Sequence, residues 1–160
     1  MAVTLKIEFL ADHPEAFPIL ERWFRQERGP YFGADGSADA WADLRGACNP
    51  DAPPVAPVAL CNGQLCGTAA LRARSISTHD HLSSWLGALS VGLAFRRRGV
   101  AQRLIAGIEE LARELGYARI CAGTGQRPGT AETSLRRRGW TCIEKGTCLV
   151  SDVAIYEKAL

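Results

Sequence analysis

The sequence predicts a mixed α/β fold in which a central, mostly antiparallel sheet is flanked by helices. Short apolar runs of strand length recur along the chain, and at least one long segment has the 3.6-residue apolar spacing of an amphipathic helix. An Asn62-Gly63 dipeptide between two strand-like runs is a strong hairpin signal. Because strands and helices are interleaved, packing helices against one sheet is the arrangement that buries their apolar faces.

Length and composition bound the class of protein. The chain has 160 residues, which is room for one core, so residues 1–160 are predicted to form a single domain. Hydrophobic residues make up 47% and charged residues 22%, values that argue against a disordered chain or a coiled coil. No export signal or membrane-length apolar stretch is apparent, so we expect a cytoplasmic location and no membrane partner.

The six cysteines show no Cys-x-x-Cys pair and no histidine at zinc-ligand spacing. They are therefore interpreted as small hydrophobic residues in a reducing cytosol, and no metal is expected. They are Cys48, Cys61, Cys66, Cys121, Cys142 and Cys148.

The first half of the chain predicts a strand, two helices and a hairpin. The first helix begins at Asp12-His13-Pro14, because proline is favoured at early helical positions. The predicted ranges are a strand over 3–9, a helix over 12–29, a short helix over 37–49, and hairpin strands over 58–61 and 65–74.

The second half predicts a strand, a long helix and a further strand, the order typical of a parallel crossover. The helix is the clearest in the chain, running from Arg98 to Leu115 with Gly116 as its terminator. The predicted ranges are strands over 85–93, 117–122, 140–143 and 150–158, with helices over 98–115 and 130–138.

Arg-Arg-Arg-Gly occurs twice, over residues 96–99 and 136–139. The second copy lies in the last turn of a predicted helix, where cations offset the negative end of the helix dipole. The first lies where a helix starts, and cations there are unfavourable by about 0.3–1 kcal/mol each at low salt. Free backbone N–H groups point the same way, so a bound phosphate would convert the conflict into attraction. A solvated basic turn is the alternative.

Glycines support a ligand site beside the first copy. Gly87 and Gly92, in the preceding strand, indicate a bulge or a close approach by a ligand or another part of the chain. Gly99 and Ala101 lack bulky side chains, so a ligand can approach the backbone there. The predicted unit is a strand, a basic turn and a helix that together hold a phosphate-bearing tail.

The segment from Val91 to Ala101 resembles motif A of the GNAT superfamily of acyl-CoA-dependent N-acyltransferases. That motif reads Arg or Gln, two residues, Gly, one residue, then Gly or Ala, and Arg96, Gly99 and Ala101 match it. The resemblance covers nearly the whole chain and is sharpest from Trp85 to Gly123. It implies the GNAT fold, with splayed fourth and fifth strands, and acetyl-CoA as co-substrate.

The resemblance also implies roles for named residues. Main chain of the strand would pair with pantetheine and polarise the thioester carbonyl, and backbone amides of the turn would hold the pyrophosphate. The implied cofactor-binding residues are Leu89, Ser90, Val91, Arg96, Arg97, Arg98, Gly99, Val100, Ala101 and Gln102.

One departure concerns the leaving group. The segment from Ser134 to Trp140 resembles the family's Tyr-x-x-x-Gly-Phe segment, whose tyrosine often protonates the leaving thiolate, but Leu135 stands at that position. A general acid usually contributes about 10²–10⁴-fold, so its loss would slow turnover without abolishing it. Another group or water would then serve, or the thiolate would leave unaided.

An alkyl amine with a pKa near 10.4 must lose a proton before it attacks. Three residues just upstream of the cofactor-pairing strand have suitable chemistry for a base, an exposed polar loop being the alternative: His79, Asp80 and His81. The resemblance places Glu21, Glu27 and Tyr31 where relatives build the acceptor site, with a solvated helix face as the alternative. Trp85 is a candidate platform for the acceptor, with core packing as the alternative.

Together these features predict an acetyltransferase that acts by direct attack of a primary amine on acetyl-CoA, with a small-molecule or protein amine as acceptor. The alternative is a catalytically weak or inactive acyl-CoA sensor of the same fold. Residues 1–80 hold 7 Lys and Arg against 10 Asp and Glu, a net −3, and the rest 12 against 7, a net +5. This split suits an acidic acceptor side and a basic CoA side. With an overall charge of +2 and no recognition helix, nucleic acid is not expected, and a homodimer is left open.

Overall fold

The computed structural model describes residues 4–27, 44–49, 52–73, 82–125, 130–148 and 151–160. Within these residues the chain forms seven strands and three α-helices in the predicted order, and residues 44–46 are also helical. The first part of the predicted short helix over 37–49, up to residue 43, lies outside the described residues. They are β1 (Leu5–Phe9), α1 (Phe17–Glu27), β2 (Pro57–Cys61), β3 (Gln64–Arg72), β4 (Trp85–Val91), α2 (Val100–Glu114), β5 (Arg119–Gly125), α3 (Thr130–Arg137), β6 (Thr141–Cys148) and β7 (Ser151–Ala159).

The strands form one sheet in the order β1-β2-β3-β4-β5-β7-β6. Neighbouring strands are antiparallel except β4 and β5, which are parallel and joined through α2. This confirms the predicted mixed, mostly antiparallel sheet with one late crossover. The hairpin between β2 and β3 turns at Asn62 and Gly63, whose φ angles of 50° and 82° suit a tight two-residue turn.

Strands β4 and β5 separate soon after they meet. Their pairing joins Trp85 to Cys121 and Leu86 to Ala122, and in the described part of the sheet it ends there. From Gly87 onwards β4 has no β5 residue in register, which confirms the expected splay. The gap opens the sheet at its centre, beside the start of α2.

A bulge in β4 lies at the point of separation. Thr68 of β3 faces Ser90, but Ala70 faces Gly87, so β4 carries one extra residue between these pairs. Ala88 lies within this bulge with a φ of 52°, which is unusual for a non-glycine residue. The predicted bulge near Gly87 is therefore present, one residue further along.

An apolar core covers each face of the sheet, and a smaller third cluster contains Leu82, Trp85, Cys121 and Ile155. On one face α2 buries a stripe of Leu104, Ile105 and Ile108, and this core extends beneath α3. On the other face α1 buries Leu20 and Phe24. Each helix therefore presents the apolar stripe that its spacing predicted.

The close approach predicted at Gly92 is made by a side chain. A Cβ atom there would lie 3.1 Å from the Trp23 ring of α1, so the ring packs directly on the backbone. Helix α1 begins later than predicted, at Phe17, because Pro14 opens a separate 3₁₀ turn and Pro18 stands in the first turn of the α-helix.

Three of the cysteines are buried, Cys61, Cys66 and Cys121, and all three are free thiols. Burial raises the pKa of Cys66 to about 12 and that of Cys121 to about 11. Both thiols are protonated at neutral pH, which fits their interpretation as small hydrophobic residues. None of the described helices has the length and apolarity needed to cross a membrane.

Candidate functional site

The first arginine triplet forms a turn that precedes α2. The backbone is left-handed at Arg97, with a φ of 62°, and at Gly99, with a φ of 81°. Helix α2 therefore begins at Val100, two residues later than predicted, because a left-handed residue cannot continue a right-handed helix. The three arginines therefore precede the helix and do not lie in its first turn.

The start of α2 presents open hydrogen-bond donors. Its first helical bond is donated by Arg103 N–H to the Gly99 carbonyl at 3.1 Å. The N–H groups of Val100, Ala101 and Gln102 precede that bond, and no side chain caps them. No atom lies within 4 Å of where a Gly99 Cβ would be, so the approach to these donors is clear. Donors and the positive helix end together form an anion site.

These donors open into a cleft of about 780 Å³, a size usual for small-molecule sites. Its walls are the end of β4, the arginine turn with the start of α2, and one side of α3. The lining residues are Leu89, Ser90, Val91, Phe95, Arg96, Arg97, Gly99, Val100, Ala101, Gln102, Ala131, Thr133, Ser134 and Arg137. Nine of the ten predicted cofactor residues line this cleft, whereas Arg98 does not.

Helix α3 supplies a wall that the motif did not reveal. Thr133, Ser134 and Arg137 line the cleft from it. The Gln102 side chain donates from Nε2 to the Ser134 carbonyl at 2.9 Å, which ties α3 to α2 across the cleft. The signal in the sequence was the i, i+3, i+4 spacing that puts Arg137 on one helix face with Ser134 and Thr133.

Arg96, the first residue of the motif, fastens the turn to the strand. Its Nε donates to the Val91 carbonyl at 3.0 Å, and the guanidinium stays at the exposed rim. Arg97 and Arg98 are exposed as well, and neither side chain pairs with an acid among the described residues. The rim of the cleft therefore keeps uncompensated positive charge.

The second arginine triplet divides into three different environments. Arg136 pairs with Glu132 at 3.1 Å, and Arg137 faces the cleft. Arg138 lies beyond the end of α3 and pairs with Glu109 of α2, Nε to Oε2, at 2.7 Å. The role predicted for all three arginines was to offset the dipole of α3. That role does not account for the position of Arg137 at the cleft or for the ion pair of Arg138.

Glu109 is a fully buried carboxylate, with 0% of its side chain exposed. Besides Arg138, it accepts from Lys158 Nζ at 2.7 Å and from Trp140 Nε1 at 3.2 Å. Burial raises the pKa of Glu109, but the bonds from Arg138, Lys158 and Trp140 outweigh it, and the net effect lowers the pKa. The carboxylate is ionised and joins α2 to the last strands of the sheet.

Leu135, which replaces the family's tyrosine, belongs to the core with 1% of its surface exposed. Tyr156, also buried, is bonded to Arg136, whose Nη2 lies 3.2 Å from the phenol oxygen. Burial, and then a bond to Glu132, raises the pKa of this phenol. Tyr156 does not line the described cleft, so it does not replace the missing proton donor there.

The predicted acceptor residues are placed only in part. Trp85 has 0% exposure and its Nε1 donates to the Leu82 carbonyl at 2.9 Å, so it is a core residue; its assignment as a substrate platform is wrong because no face of the ring is accessible. Glu21 pairs with Arg25 at 2.9 Å on α1. Four other predicted residues lie outside the described part of the structure: His79, Asp80, His81 and Tyr31. Glu27 is the last residue of α1, but its side chain is not among those described.

Comparison with solved structures finds the same fold in several acetyltransferases. The aminoglycoside 6'-N-acetyltransferase complexed with coenzyme A superposes with a TM-score of 0.73 at 14% identity, covering 99% of this chain and 97% of that one. The yncA protein of Salmonella typhimurium, solved with its cofactor acetyl-CoA, gives 0.69 at 16% identity, covering 99% and 94%. The ribosomal-protein-alanine N-acetyltransferase of Brucella melitensis gives 0.69 at 21%, covering 98% and 99%.

Comparison with curated protein sequences finds no significant match. The family model described as the acetyltransferase (GNAT) family matches residues 12–139, which includes α1, the arginine turn, α2 and α3. The match also covers Arg96, Gly99 and Ala101, the three motif positions, all of which line the cleft. The chain therefore belongs to the acetyltransferase (GNAT) family.

Proposed function

We propose that the protein is an N-acetyltransferase that moves an acetyl group from acetyl-CoA to a primary amine. The amine attacks directly in a ternary complex, with no metal and no covalent enzyme intermediate. The observation that carries the proposal is the uncapped start of α2, which opens into a cleft beside the part of β4 that has no β5 partner.

The residues of the cleft fit a phosphate-bearing thioester carrier. Three N–H groups of α2 converge on an open approach, which suits a pyrophosphate. Arg97 and Arg137 line opposite walls and add charge-assisted donors. Acetyl-CoA, when bound, supplies the activated acetyl group.

Strand β4 supports the chemical step. It lacks a β5 partner beyond Leu86, so an extended amide-bearing chain has room to lie along it. Backbone donors from Leu89 to Val91 would polarise the thioester carbonyl, as the family resemblance implies. Holding the amine and the carbonyl together supplies much of the rate by proximity alone.

Proton transfer is assigned by residue chemistry. His81, with Asp80 and His79, is the base that we propose for the amine, since these residues come just before β4 in the chain. No proton donor is assigned to the thiolate, because a thiol with a pKa near 8.5 is a tolerable leaving group at neutral pH. Turnover slower than in relatives with a tyrosine is the consequence.

One observation favours a second candidate, an acyl-CoA-binding sensor with little or no turnover. The position that holds the family's tyrosine is Leu135, a buried hydrocarbon, and Tyr156 lies outside the described cleft. A sensor needs the anion site and the cleft but no proton donor.

Thiol release from acetyl-CoA distinguishes the two candidates. We expect release to depend on an amine when polyamines, amino acids, aminoglycosides and peptides with free N-termini or lysines are tested. Calorimetry with coenzyme A and acetyl-CoA provides the matched binding measurement. Binding without turnover on the whole panel would favour the sensor, and the absence of binding to either compound would overturn both candidates.

A further inference from the structure

An arginine crosses β4 on the face of the sheet away from α2. Arg72 ends β3 and its backbone pairs with Trp85 at the start of β4. Its Cδ, Nε and Cζ atoms lie 3.4, 3.4 and 3.5 Å from the point where a Cβ of Gly87 would be. Gly87 is the first residue of β4 beyond its pairing with β5. The guanidinium group therefore lies over the mouth of the split.

The side of the sheet on which Arg72 lies is set by its neighbours. Together with Phe24 of α1, Ala70 and the bulged Ala88, it lines a small depression of about 10 Å³. Phe24, Ala70 and Ala88 belong to the core beneath α1, whereas the cofactor cleft is bounded by α2 and α3. Arg72 thus faces the split from the side opposite to the cofactor cleft.

Among the residues that the structure describes, Arg72 has no anionic partner. Its side chain is half-buried, and it makes no ion pair or hydrogen bond with any residue in the described ranges. A partly desolvated cation without a counter-charge is costly, and a ligand anion would relieve that cost. The planar guanidinium presents paired donors that match a carboxylate.

We propose that Arg72 binds a carboxylate of the acceptor, so that the acceptor is an amino carboxylate of the amino-acid type. The inference rests on the proposed acetyl transfer at the same split. Two residues of a regular strand span about 6–7 Å, and the bulge at Ala88 shortens the separation of Gly87 and Leu89 below that length. An α-amino carboxylate together with one hydrogen bond of about 3 Å to the guanidinium bridges that distance. The amine then reaches the thioester position while the carboxylate stays on Arg72.

The first test compares matched acceptors in the transfer assay. For each amino acid, its carboxamide and its decarboxylated amine keep the amine but lose the carboxylate. We expect the wild-type protein to prefer the free carboxylates by at least tenfold in kcat/KM. Arg72→Gln should abolish that preference, and Arg72→Lys should keep part of it. The KM for acetyl-CoA should change less than twofold in either variant.

Arg22→Gln is the matched control, since it removes one exposed arginine from α1 on the same side of the sheet. It should leave the acceptor preference unchanged. Circular dichroism and melting establish that each variant is folded, and Arg72→Lys keeps the test valid if the glutamine variant unfolds. A preference for carboxylates that persists in Arg72→Gln would overturn the inference.

The second test needs no turnover. In the presence of coenzyme A, amino acids should raise the melting temperature of the wild-type protein more than their carboxamides do, and Arg72→Gln should remove the difference. Equal shifts for acid and amide in the wild-type protein would overturn the inference. Carboxylate-dependent stabilisation without any acetylated product would sustain the role of Arg72 and overturn the proposed transferase activity.

Discussion

The two Arg-Arg-Arg-Gly segments have the same four residues and the same left-handed glycine, with φ of 81° at Gly99 and 86° at Gly139. The first precedes the start of α2 and stays exposed around a cleft. The second ends α3, with Arg136 and Arg137 in the last turn, and its third arginine reaches a buried carboxylate. The same local sequence therefore lines a candidate ligand cleft in one place and forms a structural ion pair in the other.

The difference comes from helix polarity and from the partner in space. At the start of a helix the backbone offers donors, so cations there require an external anion. At the end of a helix the backbone offers acceptors, and cations are already favoured. Glu109 of α2, which is fully buried, then holds the partly exposed Arg138 in an ion pair.

The largest expected effect tests the structural copy. Glu109→Gln leaves Arg138 and Lys158 without a counter-charge, so it should lower the free energy of unfolding by about 3–5 kcal/mol, measured by urea denaturation at pH 7. Arg98→Gln, in the exposed copy, should change it by less than about 0.5 kcal/mol. Equal losses of unfolding free energy in Glu109→Gln and Arg98→Gln would contradict the different roles of the two segments.

The wild-type protein and Glu109→Gln also provide a pH test of the stability that the Glu109 carboxylate contributes. The bonds to Glu109 outweigh the effect of its burial and lower its pKa below the ordinary 4.5. Its stabilising contribution is therefore complete above about pH 4.5 and is lost as the pH falls through the lowered value. The difference in unfolding free energy between the wild-type protein and Glu109→Gln should narrow below pH 4.5. A difference that stays constant to pH 3 would contradict the ionised network.

The next prediction compares Gly99 and Gly139, the glycines that end the two segments. A side chain at either position meets no atom within 4 Å but needs a left-handed backbone, so the strain should be similar, about 1–2 kcal/mol. Gly99→Glu also brings a carboxylate to the anion site and should weaken coenzyme A binding about 100-fold or more, with the fold retained. Calorimetry should show less than a twofold change for Gly139→Glu. Unchanged affinity in Gly99→Glu would refute the anion site.

The smallest effect separates neighbours within the second copy. Arg137 lines the cleft and Arg136 does not, so Arg137→Ala should weaken acetyl-CoA binding about tenfold, the value of one charge-assisted bond. Arg136→Ala should weaken it less than twofold. Titration calorimetry at low salt measures both, since added salt screens the exposed charge. The same loss in both variants would mean that only the net charge matters.

Local signals in the sequence predicted most of the fold. The Asn62-Gly63 turn and the apolar stripe of α2 depend on neighbours in the chain, and both are present as predicted. The start of α2 was placed two residues early, because the left-handed conformation of Gly99 cannot be read from the composition of the helix. Boundaries shift where one residue adopts a backbone angle that periodicity does not encode.

The candidate site was predictable only on the side that carries the motif. Arg96, Gly99 and Ala101 identified one wall of the cleft, since their spacing is local. Arg137, on the opposite wall, lies on a helix that packs against α2 only in the folded chain. The sequence left Trp85 open to two interpretations, core packing and a substrate platform, and its complete burial assigns it to the core.

The chain itself determined the order of elements, the hairpin, the long amphipathic helix and the basic turn at its start, because these features are encoded by residues within a few positions of one another. The family resemblance implied that β4 and β5 separate, and only the tertiary structure set the point of separation after Leu86. The tertiary structure also pairs Arg138 with a carboxylate 29 positions away, and it places Arg72 across Gly87 with no anion beside it among the described residues. Those outcomes depend on packing between distant segments, where burial and the nearest counter-charge, and not the local pattern, set what an arginine does.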